Sequence, residues 1–206
     1  GFAAVYEACR EPGGEPVAVK VLHAAFARDA AARRTMVNEA LACAPLSHDS
    51  LVRLLDLDED PELGLFIVAE LIRGASFTQW LGTDGRIEEG IRLLAAMLDG
   101  LAVAHASGVV HGDLKPDNIL VTEGARVKLC DFGIAQVDGP SKQPRALRIV
   151  AGTPAYMAPE QFVGEALDPR TDLYATGVIL HEVLTDRPLF GGASMGEMLL
   201  TKARPA

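Results

Sequence analysis

No run of uncharged apolar residues approaches the roughly 18 that a membrane-spanning helix requires, and no signal peptide opens the chain. This segment is therefore expected to make no membrane contact and to sit in the cytoplasm, a reading equally compatible with a membrane anchor elsewhere in a longer protein. Basic residues are in the minority: 19 Lys and Arg stand against 28 Asp and Glu, for a net charge of -9. That leaves no general basic surface for nucleic acid. Cysteine is sparse too. Cys9, Cys43 and Cys130 stand far apart, with no Cys-x-x-Cys pair and no zinc-type Cys/His spacing, which excludes a disulfide framework and a structural zinc site and predicts buried free thiols. There is no internal repeat, and no low-complexity tract beyond a general richness in alanine.

What is present is apolar mass, 49% of 206 residues, enough to bury a sizeable core in one large domain or two small lobes. Gly1-Phe2-Ala3-Ala4-Val5-Tyr6 reads as the end of a glycine turn running into a strand, with no initiating methionine, so a segment of a longer chain is expected. Val17 to Leu22 is an apolar, β-branched strand after the turn at Glu11 to Pro16. Asp29 to Ala44 reads as a helix with Asp29 at its N-cap. Leu51 to Asp56 and Leu63 to Glu70 read as strands around an acidic solvated turn, Asp58 to Glu62. Beyond Gly74 helices dominate. Ile91, Leu94, Ala95, Leu98, Leu101, Ala102 and His105 recur at helical spacing, and Tyr174 to Leu184 predicts a second long helix. Asn118 to Val121 and Arg126 to Leu129 form a short hairpin that brings Asp113 and Asp131 to one cleft. A strand-rich front and a helix-rich back predict an α+β fold in two lobes.

Phosphoryl transfer asks for a cation on the transferred phosphates, metal-holding carboxylates and an acceptor for the incoming hydroxyl's proton. Lys20 interrupts the apolar strand Val17-Ala18-Val19-Lys20, and His111-Gly112-Asp113-Leu114-Lys115-Pro116-Asp117-Asn118 is followed by Asp131-Phe132-Gly133 and Ala158-Pro159-Glu160. These motifs, in this order, resemble a protein kinase. Gly112 stands where most such enzymes carry Arg, so the octapeptide alone also resembles the loop of small-molecule phosphotransferases of the aminoglycoside kinase type. That loop usually has His at the position of Lys115 and Gly at that of Asp117. Small-molecule kinases also lack the segment Gly152 to Glu160, which resembles the peptide-docking segment of bacterial and eukaryotic-like serine/threonine kinases, and the stretch Asp172 to Gly177, which resembles the kinase F helix. The chain as a whole is thus similar to the catalytic domain of bacterial, eukaryotic-like serine/threonine protein kinases. Residues 1–70 correspond to a small lobe with an incomplete glycine loop, and 71–206 to a large lobe without its last helices. A small-molecule phosphotransferase and a nucleotide-binding pseudokinase module are the rival readings; intact Lys20, Asp113, Asn118 and Asp131 speak against the second.

The resemblance implies ATP, Mg2+ and protein substrates with Ser or Thr acceptors. It pairs Lys20 with Glu39, makes Asp113 the catalytic carboxylate beside Lys115, and gives the metal to Asn118 and Asp131. Around the adenine it places Val5, Ala18 and Leu120, the backbone from Glu70 to Ile72, and Ala69 as an unusually small gatekeeper. It has Thr153 contact Asp113 and Lys115, and Asp172 hold the catalytic-loop backbone. Gly112 removes the arginine that clamps a phosphorylated loop in many members, so phosphorylation of Ser141 is expected to matter little. The resemblance also pairs Glu160 with an arginine, which is expected to be absent from these 206 residues. His111 is expected to pack near Phe132, and His23, His48, His105 and His181, which have no carboxylate or cysteine at metal-ligand spacing, are expected in capping, packing or surface roles rather than as metal ligands.

Overall fold

The structure, a computed structural model, describes residues 3–81, 87–132, 154–191 and 195–202. Up to Glu70 the chain builds a four-stranded antiparallel sheet from β1 (Ala3–Arg10), β2 (Glu15–Leu22), β3 (Leu54–Asp60) and β4 (Gly64–Glu70), in the order β1-β2-β4-β3. Helix α1 (Ala30–Cys43) lies between β2 and β3 in sequence. It starts at Asp29, whose Oδ1 accepts the N–H groups of Ala31 and Ala32 at 2.8 Å each and so satisfies two amides that have no intrahelical partner. Met36 and Ala40 of this helix pack on Leu22, Leu65 and Ile67 to form the core of the small lobe.

The acidic stretch expected as a turn is mostly strand: β3 continues through Asp60, with Asp58 opposite Phe66 and Glu59 opposite Leu65. β3 is an edge strand, so Asp58 and Glu59 face water while Leu54 and Leu57 pack inward. The turn proper is short, closed by Asp60 Oδ1 accepting from Glu62 and Leu63 N–H. Leu51, expected in the same strand, instead bridges to Leu129.

After Glu70 comes a three-stranded sheet, β5 (Gly74–Ser76), β6 (Ile119–Thr122) and β7 (Val127–Leu129), together with α2 (Phe77–Leu81), α3 (Ile87–Ala106), α4 (Pro159–Val163), α5 (Pro169–Thr185) and α6 (Met195–Lys202). A Cβ at Gly74 would fall 2.1 Å from the Val121 carbonyl oxygen, so only glycine lets β5 approach β6. The buried stripe of α3 is Leu93, Leu94, Met97, Leu101 and Ala104. This corrects the expected row, since Ile91, Ala95 and Ala102 are exposed. The helix packs on both β7 and α5, which rotates its buried side toward Gly90 and Gly100. No described helix is long and apolar enough to cross a membrane. All three thiols are free, but Cys9 is exposed on the edge strand β1 and Cys43 and Cys130 are only half-buried.

Candidate active site

Sheet register assembles one side of the site. Lys20 lies opposite Val5 and Ile67, and Ala18 opposite Glu7 and Ala69, so alternation puts Val5, Ala18, Lys20 and Ala69 on one face. Val5 is exposed there, and Ala18 and Ala69 are half-buried; Leu120 is half-buried on β6, and Ile72 sits on the connection between the sheets. Glu70, the last residue of β4, is tied down. Its N–H donates to Arg53 O at 3.0 Å, and its carboxylate accepts from Arg53 N–H at 2.8 Å and Lys128 Nζ at 2.6 Å.

The face carrying Lys20 looks toward α1, and Lys20 Nζ donates to both carboxylate oxygens of Glu39, at 2.7 and 2.9 Å. The same ammonium donates to Asp131 Oδ1 at 2.7 Å, linking β2 and α1 to the residues after β7. Asp131 takes a φ of 56°, a left-handed conformation that costs a non-glycine residue about 1 kcal/mol. The next side chain, Phe132, is buried against His111 with ring centroids 4.6 Å apart. Burial opposes the charge on Lys20, but Glu39 and Asp131 outweigh it and hold the ammonium above its ordinary value. Burial pushes Glu39 up despite Lys20, with Asp131 adding to the rise. Burial also opposes ionisation of Asp131, yet Lys20 keeps that carboxyl below its usual range.

The loop from His111 to Asn118 hangs from α5. Asp172, fully buried, accepts the N–H of His111 on Oδ2 and that of Gly112 on Oδ1, both at 2.9 Å. His105 Nε2 shares Oδ2 at 2.7 Å, so this histidine has a packing and hydrogen-bonding place under the loop. Helical spacing along α3 cannot reveal a partner that arrives from another helix. Gly112 has a φ of 70°, where glycine carries no Cβ penalty. Asp113 Oδ2 accepts from Lys115 Nζ at 2.7 Å and from Asn118 Nδ2 at 3.2 Å, while that same Nδ2 donates to Asp113 O at 2.8 Å. Asn118 O accepts the Cys130 N–H at 3.0 Å, tying the loop to the residue before Asp131.

Several positioning groups have no sequence signal. Gln161 Nε2 donates to Gly112 O at 2.7 Å while its Oε1 accepts the Ala158 N–H at 2.9 Å. Thr171 Oγ1 donates to Glu160 at 2.6 Å. Tyr156 Oη donates to Glu182 at 3.0 Å, and burial together with Glu182 pushes the phenol up. Gly133, Ser141 and Thr153 lie outside the described residues.

A family model described as "Protein kinase domain" matches residues 1–204. The serine/threonine-protein kinase Pkn1 of Myxococcus xanthus is 37% identical over 204 residues, covering 97% of this chain and 29% of the relative. The serine/threonine-protein kinase PkaA of Streptomyces coelicolor is 39% identical over 191 residues, 90% of this chain and 35% of the relative. The serine/threonine-protein kinase PknB of Mycobacterium leprae is 37% identical over 183 residues, 86% of this chain and 29% of the relative. The chain spans about a third of the length of these curated relatives. Fold, motif order and these matches agree: the chain belongs to the protein kinase domain family.

Proposed function

We propose that this chain is the catalytic domain of a serine/threonine protein kinase that transfers the γ-phosphate of ATP to Ser and Thr hydroxyls of protein substrates. The observation that carries this reading is the bridge from Lys20 to both Glu39 and Asp131, which joins the two lobes at one ammonium. Lys20 holds the nucleotide phosphates. Asp113 orients the acceptor hydroxyl and takes its proton, with Lys115 beside it to meet charge on the transferring group. Val5, Ala18 and Leu120 enclose the adenine, whose edge meets the backbone between Glu70 and Ile72, and Ala69 leaves space behind it.

Asn118 and Asp131 offer an amide oxygen and a carboxylate, both hard donors. Among the described residues no group of three or more His, Cys, Asp or Glu is arranged to hold a metal ion by itself. So sparse a set of protein oxygens fits Mg2+, which keeps several waters and shares its shell with substrate phosphates. When bound, the ion neutralises phosphate charge. Asn118 Nδ2 is committed to Asp113, which leaves the amide oxygen for the cation.

The test is phosphate transfer from radiolabelled ATP to casein by the full-length protein beside its Asp113→Asn variant. A loss of about 10²- to 10⁴-fold is expected. Unchanged turnover in the variant refutes the assignment.

A further inference from the structure

Lys202, at the end of α6, is only 9% exposed. Its Nζ donates to three backbone carbonyls, Pro154 O at 2.8 Å, Ala155 O at 2.8 Å and Met157 O at 2.7 Å, which uses all the donors an ammonium has. Three aromatic rings surround it: Phe190 at 4.4 Å, Phe162 at 5.2 Å and Tyr174 at 5.3 Å from Nζ to ring centroid. A methionine would fill that space without the cost of desolvating a charge. What lysine adds is a set of donors aimed at one stretch of irregular backbone. The path does not end there. Ala158 N–H is held by Gln161, whose amide nitrogen donates to Gly112 O, next to Asp113.

We propose that Lys202 is a positioning residue for the protein acceptor: by clasping the carbonyls of Pro154, Ala155 and Met157 it sets the surface on which the acceptor peptide lies, in register with Asp113. The inference rests on reading residues 154–157 as the docking segment. Lys202 touches neither nucleotide-site residues nor Asp113, so its effect falls on the acceptor and spares ATP.

Titratable groups on the elements packed against the ammonium are Tyr174 on α5 with Glu160 nearby on α4, and Tyr156 in the clasped segment with its hydroxyl on Glu182; Glu197 lies in the first turn of α6, the helix that Lys202 ends. Burial pushes both tyrosines up. Burial pushes the Lys202 ammonium down to about 8, while the carbonyls and rings favour its charged form. Lys202 therefore loses its proton before either tyrosine, and the clasp weakens as pH rises through about 8.

The experiment compares wild type, Lys202→Met, Lys202→Arg and Ala155→Asp in the full-length protein, measuring KM for casein and KM for ATP. Lys202→Met is expected to raise the casein KM about tenfold, the size of one lost charge-assisted hydrogen bond, with the ATP KM within about twofold of wild type. Lys202→Arg recovers part of the loss. A Lys202→Met protein with lower kcat or melting temperature but an unmoved casein KM overturns the proposal, because that is the mark of a merely structural lysine. If Ala155→Asp raises the casein KM and Lys202→Met does not, the inference fails and the docking reading stands. If neither variant moves it, the docking reading fails as well. Should Lys202→Met not fold, the wild-type pH profile decides: a casein KM that climbs above about pH 8 beside a flat ATP KM supports the clasp, and a flat casein KM overturns it.

Discussion

Asp172→Ala removes an acceptor that three donors share: His111 N–H and Gly112 N–H at 2.9 Å and His105 Nε2 at 2.7 Å. The Asp172 side chain is 0% exposed, so water does not reach the two amides when it is gone. His105 keeps 14% exposure and can turn toward solvent, which leaves the amides as the main loss. An unpaired buried backbone donor costs about 1–3 kcal/mol, so the pair costs about 2–6 kcal/mol. That sits below or near the whole stability of a typical domain, about 5–15 kcal/mol, so the loop opens before the fold is lost. Amide hydrogen exchange reads this directly. Exchange at His111 and Gly112 is expected to accelerate about 30- to 10⁴-fold, since about 1.4 kcal/mol is a factor of ten. Phosphate transfer to casein falls with it, because Asp113 is the next residue in the chain. Exchange at both amides within about threefold of wild type would show that Asp172 does not hold the loop.

Lys20→Met leaves Glu39 and Asp131 facing each other without a cation and is expected to destabilise by about 1–3 kcal/mol in urea unfolding, less than for a fully buried pair because Asp131 is 42% exposed. Adding Glu39→Met restores most of that stability and none of the phosphate transfer; a double variant as unstable as the single one contradicts the charge argument. Gly112→Ala places a Cβ at a φ of 70° and lowers unfolding free energy by about 1–2 kcal/mol, with no change expected if the loop relaxes to another conformation. Lys202 sheds its proton near pH 8 when folded, against an ordinary 10.5, so between those values the unfolded chain holds the extra proton and this group makes stability rise with pH. Lys202→Met lacks that rise, and identical slopes for both proteins in that window would argue against the buried ammonium.

What could be read in the sequence were groups whose geometry is local or whose residue type is conspicuous. Lys20 stands out because a charge interrupts an apolar strand, and Asp113 and Asn118 because a short loop fixes their spacing. The N-cap at Asp29 is a contact between near neighbours. Gln161, Glu182 and Lys202 stayed hidden because what they bind is a carbonyl or a hydroxyl many residues away. Lys202 reaches Pro154, Ala155 and Met157 across more than forty positions, and a backbone carbonyl has no residue identity to read. Apolar spacing along α3 points away from its true buried side because Gly90 and Gly100 line that side: counting apolar side chains misses a face chosen for close approach. In β3 the acidic run suggested a turn, although an edge strand tolerates an outward row of carboxylates.

The contact between Lys20 and Asp131 spans 111 residues of chain and joins elements that rest on two distinct hydrophobic clusters, a small one around Leu22, Met36 and Ile67 and a much larger one around Met97, Leu101 and Ile179. Cooperative units of unequal size need not melt together. When the small cluster loosens, Lys20 is withdrawn from Asp131 while the loop on Asp172 keeps its shape inside the larger one. The cleft is therefore expected to be only as durable as its weaker half, with phosphate transfer lost to heat or denaturant before the helical signal, and simultaneous loss of both would show that the two clusters melt as one.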